Sequence, residues 1–526
     1  MSKPTRAALI GAAIAALITL PGLAAGTLWD NSETAYGEVA REILLTHDWV
    51  VMHFNLQPWF VQPPLYFWVG AIFAKLLGAE TLSLRLPAAL ATIAMGGMTA
   101  YAVTRQAGSR AGIFASVILS TSLMQAVIGR LAIMDALLDL AVALTIFWWF
   151  RALQTGQDRY FVYGWIAVGF GFLAKGPVAP AVALMVIVPY AWWNWRSEPT
   201  HIPSWRGWLT GLLAFFVIVA PWFIALAHAV GGSAVQTMIG HYTFGRYTGV
   251  IENQSGPVWY YLPVIILGFF PWIAFLPVAI VWAIGFLQRP RNGGPDTDRL
   301  LRLAIVWIVV PLIFFSFAKT KLPNYLALEF PGFALLTGLY FDAVGRKGGS
   351  RAAAISAACV PVFIGGLAIA IVLFSRHNKL APSLHAVFAD LSVMGIAIFI
   401  GAIVTAVMLA RNAARPLLVD YAPYALGVAM LFAVDTLALF IIPQAEMFKP
   451  IPPLARIIDA RLQPGDAIAI QGSLAGSNAL LFYTRPPVLT LPQAPTCPKT
   501  RTFFIGPSGH PGKPALFAYS GLPCKH

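Results

Sequence analysis

The chain has 526 residues, of which 58% are hydrophobic and only 11% charged, and its mean hydropathy is +0.73. That is more apolar surface than a soluble domain of this length can hide from water. The net charge of +14 is spread through short loops between apolar runs instead of being gathered into a patch, which argues against a nucleic-acid partner.

A hydrocarbon core ~30 Å thick needs roughly 20 apolar residues per helical span. About thirteen such runs are predicted as spans: residues 7–28, 82–104, 111–128, 132–150, 160–174, 177–194, 208–228, 259–287, 302–317, 326–343, 352–374, 392–410 and 420–442. Continuous apolar runs containing Gly and Pro predict helices and not the alternating strands of an outer-membrane barrel. The first run follows a basic start, "MSKPTR", as a signal peptide would, but reads as an uncleaved span. The fifth and sixth runs meet at "AKGP", where Gly176 and Pro177 predict a tight turn.

Cations recur at every second loop: Lys3 and Arg6, Arg105 and Arg110, Arg151 and Arg159, Arg196 and Arg206, Arg289 to Arg302, Arg346 to Arg351, Arg411 and Arg415. The positive-inside rule then predicts a cytoplasmic N-terminus and an external C-terminus. Three external segments are too long for simple connectors. Residues 29–81 carry "SETAYGEVAREILLTHDWV", expected to form a helix on the membrane surface. Residues 229–258 are rich in Gly and polar groups. From 444 to 526 the character changes, and "PGDAIAIQGS", "LLFYT" and "TRTFFIGPSG" read as short β-runs of a small soluble α/β domain. The expected organisation is a membrane domain over 1–443 and an external domain over 444–526. Cys359 falls in a span; Cys497 and Cys524 fall in the external tail, where a structural disulfide and two free thiols are both open readings.

This topology gathers Asp30, Glu33, Glu38, Arg41, Glu42, Arg130, Asp135, Lys175, His241, Arg246, Lys319 and Lys321 on the external side. Basic residues there run against the orientation bias and call for another reason. Cations at the outer end of a helix bundle, facing carboxylates, would suit a lipid phosphate arriving from the membrane and a reacting group arriving from water. Structural readings stand beside this one: Asp30 and Glu33 as helix caps, Arg130 with Asp135 as an ion pair, Lys175 as a snorkelling lysine, and His241 and Arg246 as ordinary loop residues. The two lysines of "FSFAKTKLPNYL", between apolar spans, would be costly unless solvated or paired.

The ordered series "LWDNSETAYGEVAREIL", "WFVQPPLYFW", "LRLPAAL", "GRLAIMDALL", "GFLAKGP", "HYTFGRYT", "WYYLPVIILGFFPW" and "FSFAKTKLPNYL" resembles the aminoarabinose transferases that modify lipid A. More broadly it resembles the bacterial branch of the protein O-mannosyltransferase superfamily, with the integral-membrane fold called GT-C. The resemblance covers roughly residues 5 to 345. It implies a polytopic α-helical membrane protein of about thirteen spans, a large first external loop and a soluble periplasmic tail. It also implies transfer of a sugar, with inversion, from a polyprenyl-phosphate donor to a lipid, glycan or protein acceptor at the outer face of a bacterial inner membrane.

In such a reaction a carboxylate takes the acceptor's proton, and cations stabilise the departing phosphate without need of a metal or cofactor. The expected site comprises Asp30 and Glu33 as catalytic carboxylates and Lys321 as the main phosphate contact. Tyr325, Lys319, Arg246, Lys175, His241, Arg130, Asp135 and Gln62 are further binding candidates. Two positions depart from the family pattern. Its usual Asp-Glu pair is here Ser32-Glu33, and serine cannot act as a base unaided; its "FEKPPL" is here "FVQPPL", so Val61 and Gln62 replace an acid and a lysine. Alternatives from other classes are a lipid-linked glycan transporter, which predicts ionisable groups along a path at mid-membrane depth, and a non-catalytic binding protein.

Overall fold

The computed structural model describes residues 1–449 apart from 30, 196–200, 252, 289–294, 378–384 and 411–415, and beyond them 451–461, 467–470, 478–484, 488–490, 502–507 and 514–519. Asp30, Cys497 and Cys524 lie outside the described residues. Among those described, eight helices are long and apolar enough to cross a membrane, or nine if one bent pair counts as a single span.

The expected thirteen spans divide accordingly. The 7–28 run forms helix α1, Lys3–Thr19, which ends at 17 residues before Pro21 and Gly22. The 111–128 run breaks at Ser122 into α5, Ser109–Thr121, and α6, Leu123–Ile128. The 259–287 run is not one helix, because Val258–Gly268 and Trp272–Leu287 meet at 108°. The chain folds back there at "FFPW", around a cis Phe270–Pro271 bond.

Small residues set the closest helix contacts. Helix α1, "KPTRAALIGAAIAALIT", lies along α4, Thr81–Ala107. A methyl group at Gly11 would come within 2.7 Å of the Gly96 carbonyl and 2.6 Å of Ser116 Oγ. In lipid, where apolar burial drives little helix association, such close backbone approach is what holds spans together.

The first loop is less superficial than its amphipathic pattern implied. It folds into α2, Ser32–Thr46, a two-residue hairpin pairing His53–Phe54 with Gln57–Pro58, and α3, Leu65–Leu77. One face of α2 is buried: Val39, Ala40 and Ile43 pack with Leu28, Tyr66, Phe67 and Leu84. Full burial of a Phe-sized side chain contributes about 1.5–3 kcal/mol. Glu38 and Glu42 are buried as well. Glu38 accepts two hydrogen bonds from Arg41, at 2.8 and 2.7 Å, and Glu42 accepts the Leu56 N–H at 2.9 Å.

In the tail, the strands run 488–490, 467–470, 502–507, 514–519 across a four-stranded sheet, the first three parallel and the last antiparallel. The run "LLFYT" is not a strand. Asn478–Tyr483 is helical, because Phe482 and Tyr483 turn their rings onto α2. A short apolar run does not distinguish the two states until its partner is known.

Burial, and then the neighbouring Glu38, push the Glu42 carboxyl up to about 8, against about 4.3 in an unfolded chain. The native state therefore holds a proton between those values that the unfolded chain releases, so the group's contribution to stability falls as pH rises through that window. Glu42→Gln keeps the oxygen that accepts from Leu56 and removes the titration. Thermal unfolding in detergent from pH 5 to 9 should show the variant gaining on the parent protein as pH rises; parallel curves would contradict the shifted carboxyl.

Candidate active site

A cavity of about 950 Å³ opens among the ends of the helices. Its walls are mainly apolar, from Leu123 to Leu131, Phe314, Phe315, Leu322, Val434 and Leu437. Set into them are Ser32, Glu33, Gln62, Arg85, Arg130, Asp135, Lys175, Arg246, Asn324 and Tyr325.

Local structure explains how the charges are placed. Asp135 occupies the first turn of α7, Asp135–Thr155, and Lys175 the last turn of α8, Asp158–Lys175. Each sits at the helix end whose macrodipole favours its sign. Gly176, at φ +72°, ends α8 and turns the chain into the next helix, Val178–Trp195, as "AKGP" predicted. Lys175 Nζ meets Asp135 Oδ1 at 2.6 Å and lies 5.4 Å from the centre of the Tyr325 ring. Asn324 donates to the same Oδ1 at 2.8 Å. No hydrogen bond reaches Asp135 Oδ2 among the described residues.

Arg246 also lines the cavity and is bonded through Nη1 to Gln254 Oε1 at 3.2 Å. Its segment is knitted to the "AKTK" turn by backbone bonds: Lys319 N–H to Tyr247 O, Thr320 N–H to Arg246 O and Lys321 N–H to Gln254 O, each 3.0 Å. Buried Thr320 joins them by accepting the Ile251 N–H and donating to the Gly249 carbonyl. That strut fixes Arg246 relative to Tyr325.

Several expected site residues lie elsewhere. Lys321 is not on the cavity wall. Its Nζ donates to the carbonyls of Ser316 and Ala318, at 2.7 and 2.5 Å, closing the C-terminal end of the helix Pro295–Phe317. Carbonyls left open at a helix end attract a lysine strongly, and the ammonium expected to meet a phosphate is engaged there, away from the cavity. Lys319 and His241 are exposed and off the wall. Gln62 lines the cavity at the position expected of it. Arg130 is buried; its Nη2 donates to Pro21 O at 2.8 Å and reaches Asp435 at 3.3 Å, while Nε and Nη1 find no partner among the described residues.

Glu33 reaches the cavity but is fully engaged. Arg85 Nε and Nη2 grip its two oxygens, each at 2.9 Å, and it accepts the N–H groups of Trp29 at 2.8 Å and Ala132 at 2.6 Å. Both side chains are almost wholly buried, at 1% and 4% exposure. A carboxylate with four such bonds orients the loop around it and has little left for abstracting a proton. Arg85, Asn324 and Thr320 were not singled out from the sequence. An arginine at the start of an apolar helix, in "LRLPAAL", was the available signal for the first.

Residues 61–237 match the family model described as dolichyl-phosphate-mannose-protein mannosyltransferase. The undecaprenyl phosphate-alpha-4-amino-4-deoxy-L-arabinose arabinosyl transferase of Pectobacterium atrosepticum is 30% identical over 412 residues, 76% of this chain and 70% of the relative. That of Erwinia tasmaniensis is 29% identical over 361 residues, 66% of this chain and 62% of the relative, so the match spans a little under two thirds of that protein. The crystal structure of ArnT from Cupriavidus metallidurans bound to undecaprenyl phosphate superposes with a TM-score of 0.74 over 93% of this chain and 86% of that one, at 24% identity, and so shares the fold.

Arg85→Met would leave Glu33 buried without its counter-charge, a loss of about 3–5 kcal/mol, read as a lower melting temperature in detergent. Adding Glu33→Gln should return most of it. A single variant as stable as the parent protein would contradict the pair's structural role.

Proposed function

The chain belongs to the family of the undecaprenyl phosphate-aminoarabinose arabinosyl transferases, and from that premise we propose that it is an inverting glycosyltransferase. In this reading it moves a sugar from a polyprenyl-phosphate donor to an acceptor, a lipid, glycan or protein, at the periplasmic face of the inner membrane. The observation that carries the reading is the meeting of Lys175, Arg246 and Tyr325 on one cavity whose wall is mainly apolar. That combination suits an anionic headgroup on a long hydrocarbon chain. The N-terminus is assigned to the cytoplasm and the 444–526 tail to the periplasm, on the distribution of loop arginines.

The acceptor oxygen attacks the anomeric carbon as the bond from that carbon to the phosphate oxygen breaks, and the departing phosphate carries away the bonding pair. Arg246, Lys175 and the Tyr325 hydroxyl are assigned to that developing charge. When Lys175 turns toward the phosphate, Asp135 loses its strongest partner and is left beside the reacting centre with Oδ2 open. We assign the proton-accepting role to Asp135, and to Glu33 the positioning of Trp29 and of the 132 loop. Ser32, at the family's Asp position, offers the sugar a hydrogen bond and no base. Asp30 is the rival base.

The test is transfer from a labelled polyprenyl-linked sugar by membranes holding equal amounts of each variant. Arg246→Ala and Tyr325→Phe should lower the rate, and Asp135→Asn should reduce it roughly 10²–10⁴-fold, the contribution typical of a positioned general base. Lys321→Met should lower stability and leave the rate per folded molecule near that of the parent. Undiminished transfer in Asp135→Asn with loss in Asp30→Asn would reassign the base; no transfer by the parent protein from any polyprenyl-linked sugar would sink the reading.

A further inference from the structure

The stretch that leads into α2 is held from both sides. From the membrane helices, Arg85 Nη1 donates to the carbonyls of Leu23 and Ala25, at 3.3 and 3.1 Å. From the far end of the chain comes a second grip. Glu446 Oε1 accepts the Thr27 N–H at 2.9 Å and Oε2 the Thr27 hydroxyl at 2.6 Å. Lys449 Nζ donates to Thr27 O at 3.0 Å, is paired with Glu446 at 2.7 Å, and lies 4.2 Å from the centre of the Trp29 ring. The Tyr483 hydroxyl accepts the Leu28 N–H at 2.7 Å.

Gly26 makes this approach possible. It sits at φ +70°, and a Cβ there would come within 2.8 Å of Glu446 Oε1. The position therefore excludes other residues twice, by backbone conformation and by contact. Beyond the grip, the Trp29 N–H donates to Glu33, and Trp29, Ser32 and Glu33 all face the cavity.

We infer that Glu446, Lys449 and Tyr483 are positioning residues: the end of the last membrane helix and the chain that follows it clamp the 27–28 backbone and so aim Trp29, Ser32 and Glu33 at the reacting end of the cavity. This rests on the transferase reading, since it assigns a job within that site. The clamp engages one wall only. Lys175, Arg246 and Tyr325, assigned to the phosphate, are held by other elements. Loosening the clamp should therefore slow turnover far more than it weakens donor binding, which rests mainly on the phosphate contacts and only secondarily on Ser32. A cation close to an aromatic face contributes most when desolvated, and here Lys449 is also a hydrogen-bond donor to main chain, so an arginine can take over both tasks and a methionine neither.

The experiment is steady-state transfer by the full chain in membranes, with rates normalised to folded protein. Lys449→Met and Tyr483→Phe should each lower kcat roughly tenfold or more, the scale of a misplaced active-site wall, with donor KM within about twofold of the parent, and Lys449→Arg should recover most of the loss. Gly26→Ala should reproduce the kcat defect from the other side of the contact. Unchanged kcat in Lys449→Met and Tyr483→Phe, or equal losses in Lys449→Arg and Lys449→Met, would overturn the proposal. Failure of the parent protein to transfer would instead count against the transferase reading.

Discussion

One buried ion pair, Glu33 with Arg85, organises the end of the helix bundle where the cavity opens. The carboxylate oxygens and the guanidinium opposite collect groups from four places: the turn after α1 through Leu23 and Ala25, the Trp29 amide, the start of α4, and the Ala132 amide before α7. Two charges removed from water gain little net stability unless every remaining donor and acceptor is matched. Here the matching partners are backbone groups that would themselves be orphaned in a low-dielectric setting. The pair therefore fixes geometry: with either member missing, the walls meeting at the cavity have no common reference.

The same logic sorts the lysines. Lys175 and Lys321 are both found where a helix ends, yet one turns to a carboxylate and the other to bare carbonyls. Lys175 closes α8 opposite Asp135, which opens α7, so the two macrodipoles and the ion pair reinforce one another. Lys321 has no facing acid among its bonded partners and satisfies the last turn of Pro295–Phe317 instead. The residue type was the same; the neighbour decided the role.

Much of the architecture was legible because lipid leaves few choices. Long apolar runs must be helices, and the "AKGP" turn follows from Gly176 and Pro177. Legibility failed where packing outranks pattern. "LLFYT" became a helix because α2 offered its rings a seat, and 259–287 folded back on itself where periodicity showed a single span. In the site, Arg246, Tyr325, Asp135, Lys175, Gln62 and Arg130 do share one cavity, since each departs from what orientation or lipid would select. Arg85 escaped notice because its partner is 52 residues away, and Lys321 misled because "KTKLP" carries the charge of a phosphate site while its side chain answers to the helix before it.

The grip on Thr27 joins residues 419 apart in sequence. A ribosome adding roughly 5–20 residues per second needs on the order of tens of seconds to supply the second half of that contact after the first has left the exit tunnel. Throughout that interval the entry to α2 has its membrane-side partner and lacks the other. The wall that carries Trp29, Ser32 and Glu33 is thus braced on one side only for most of the time in which the membrane helices are being made.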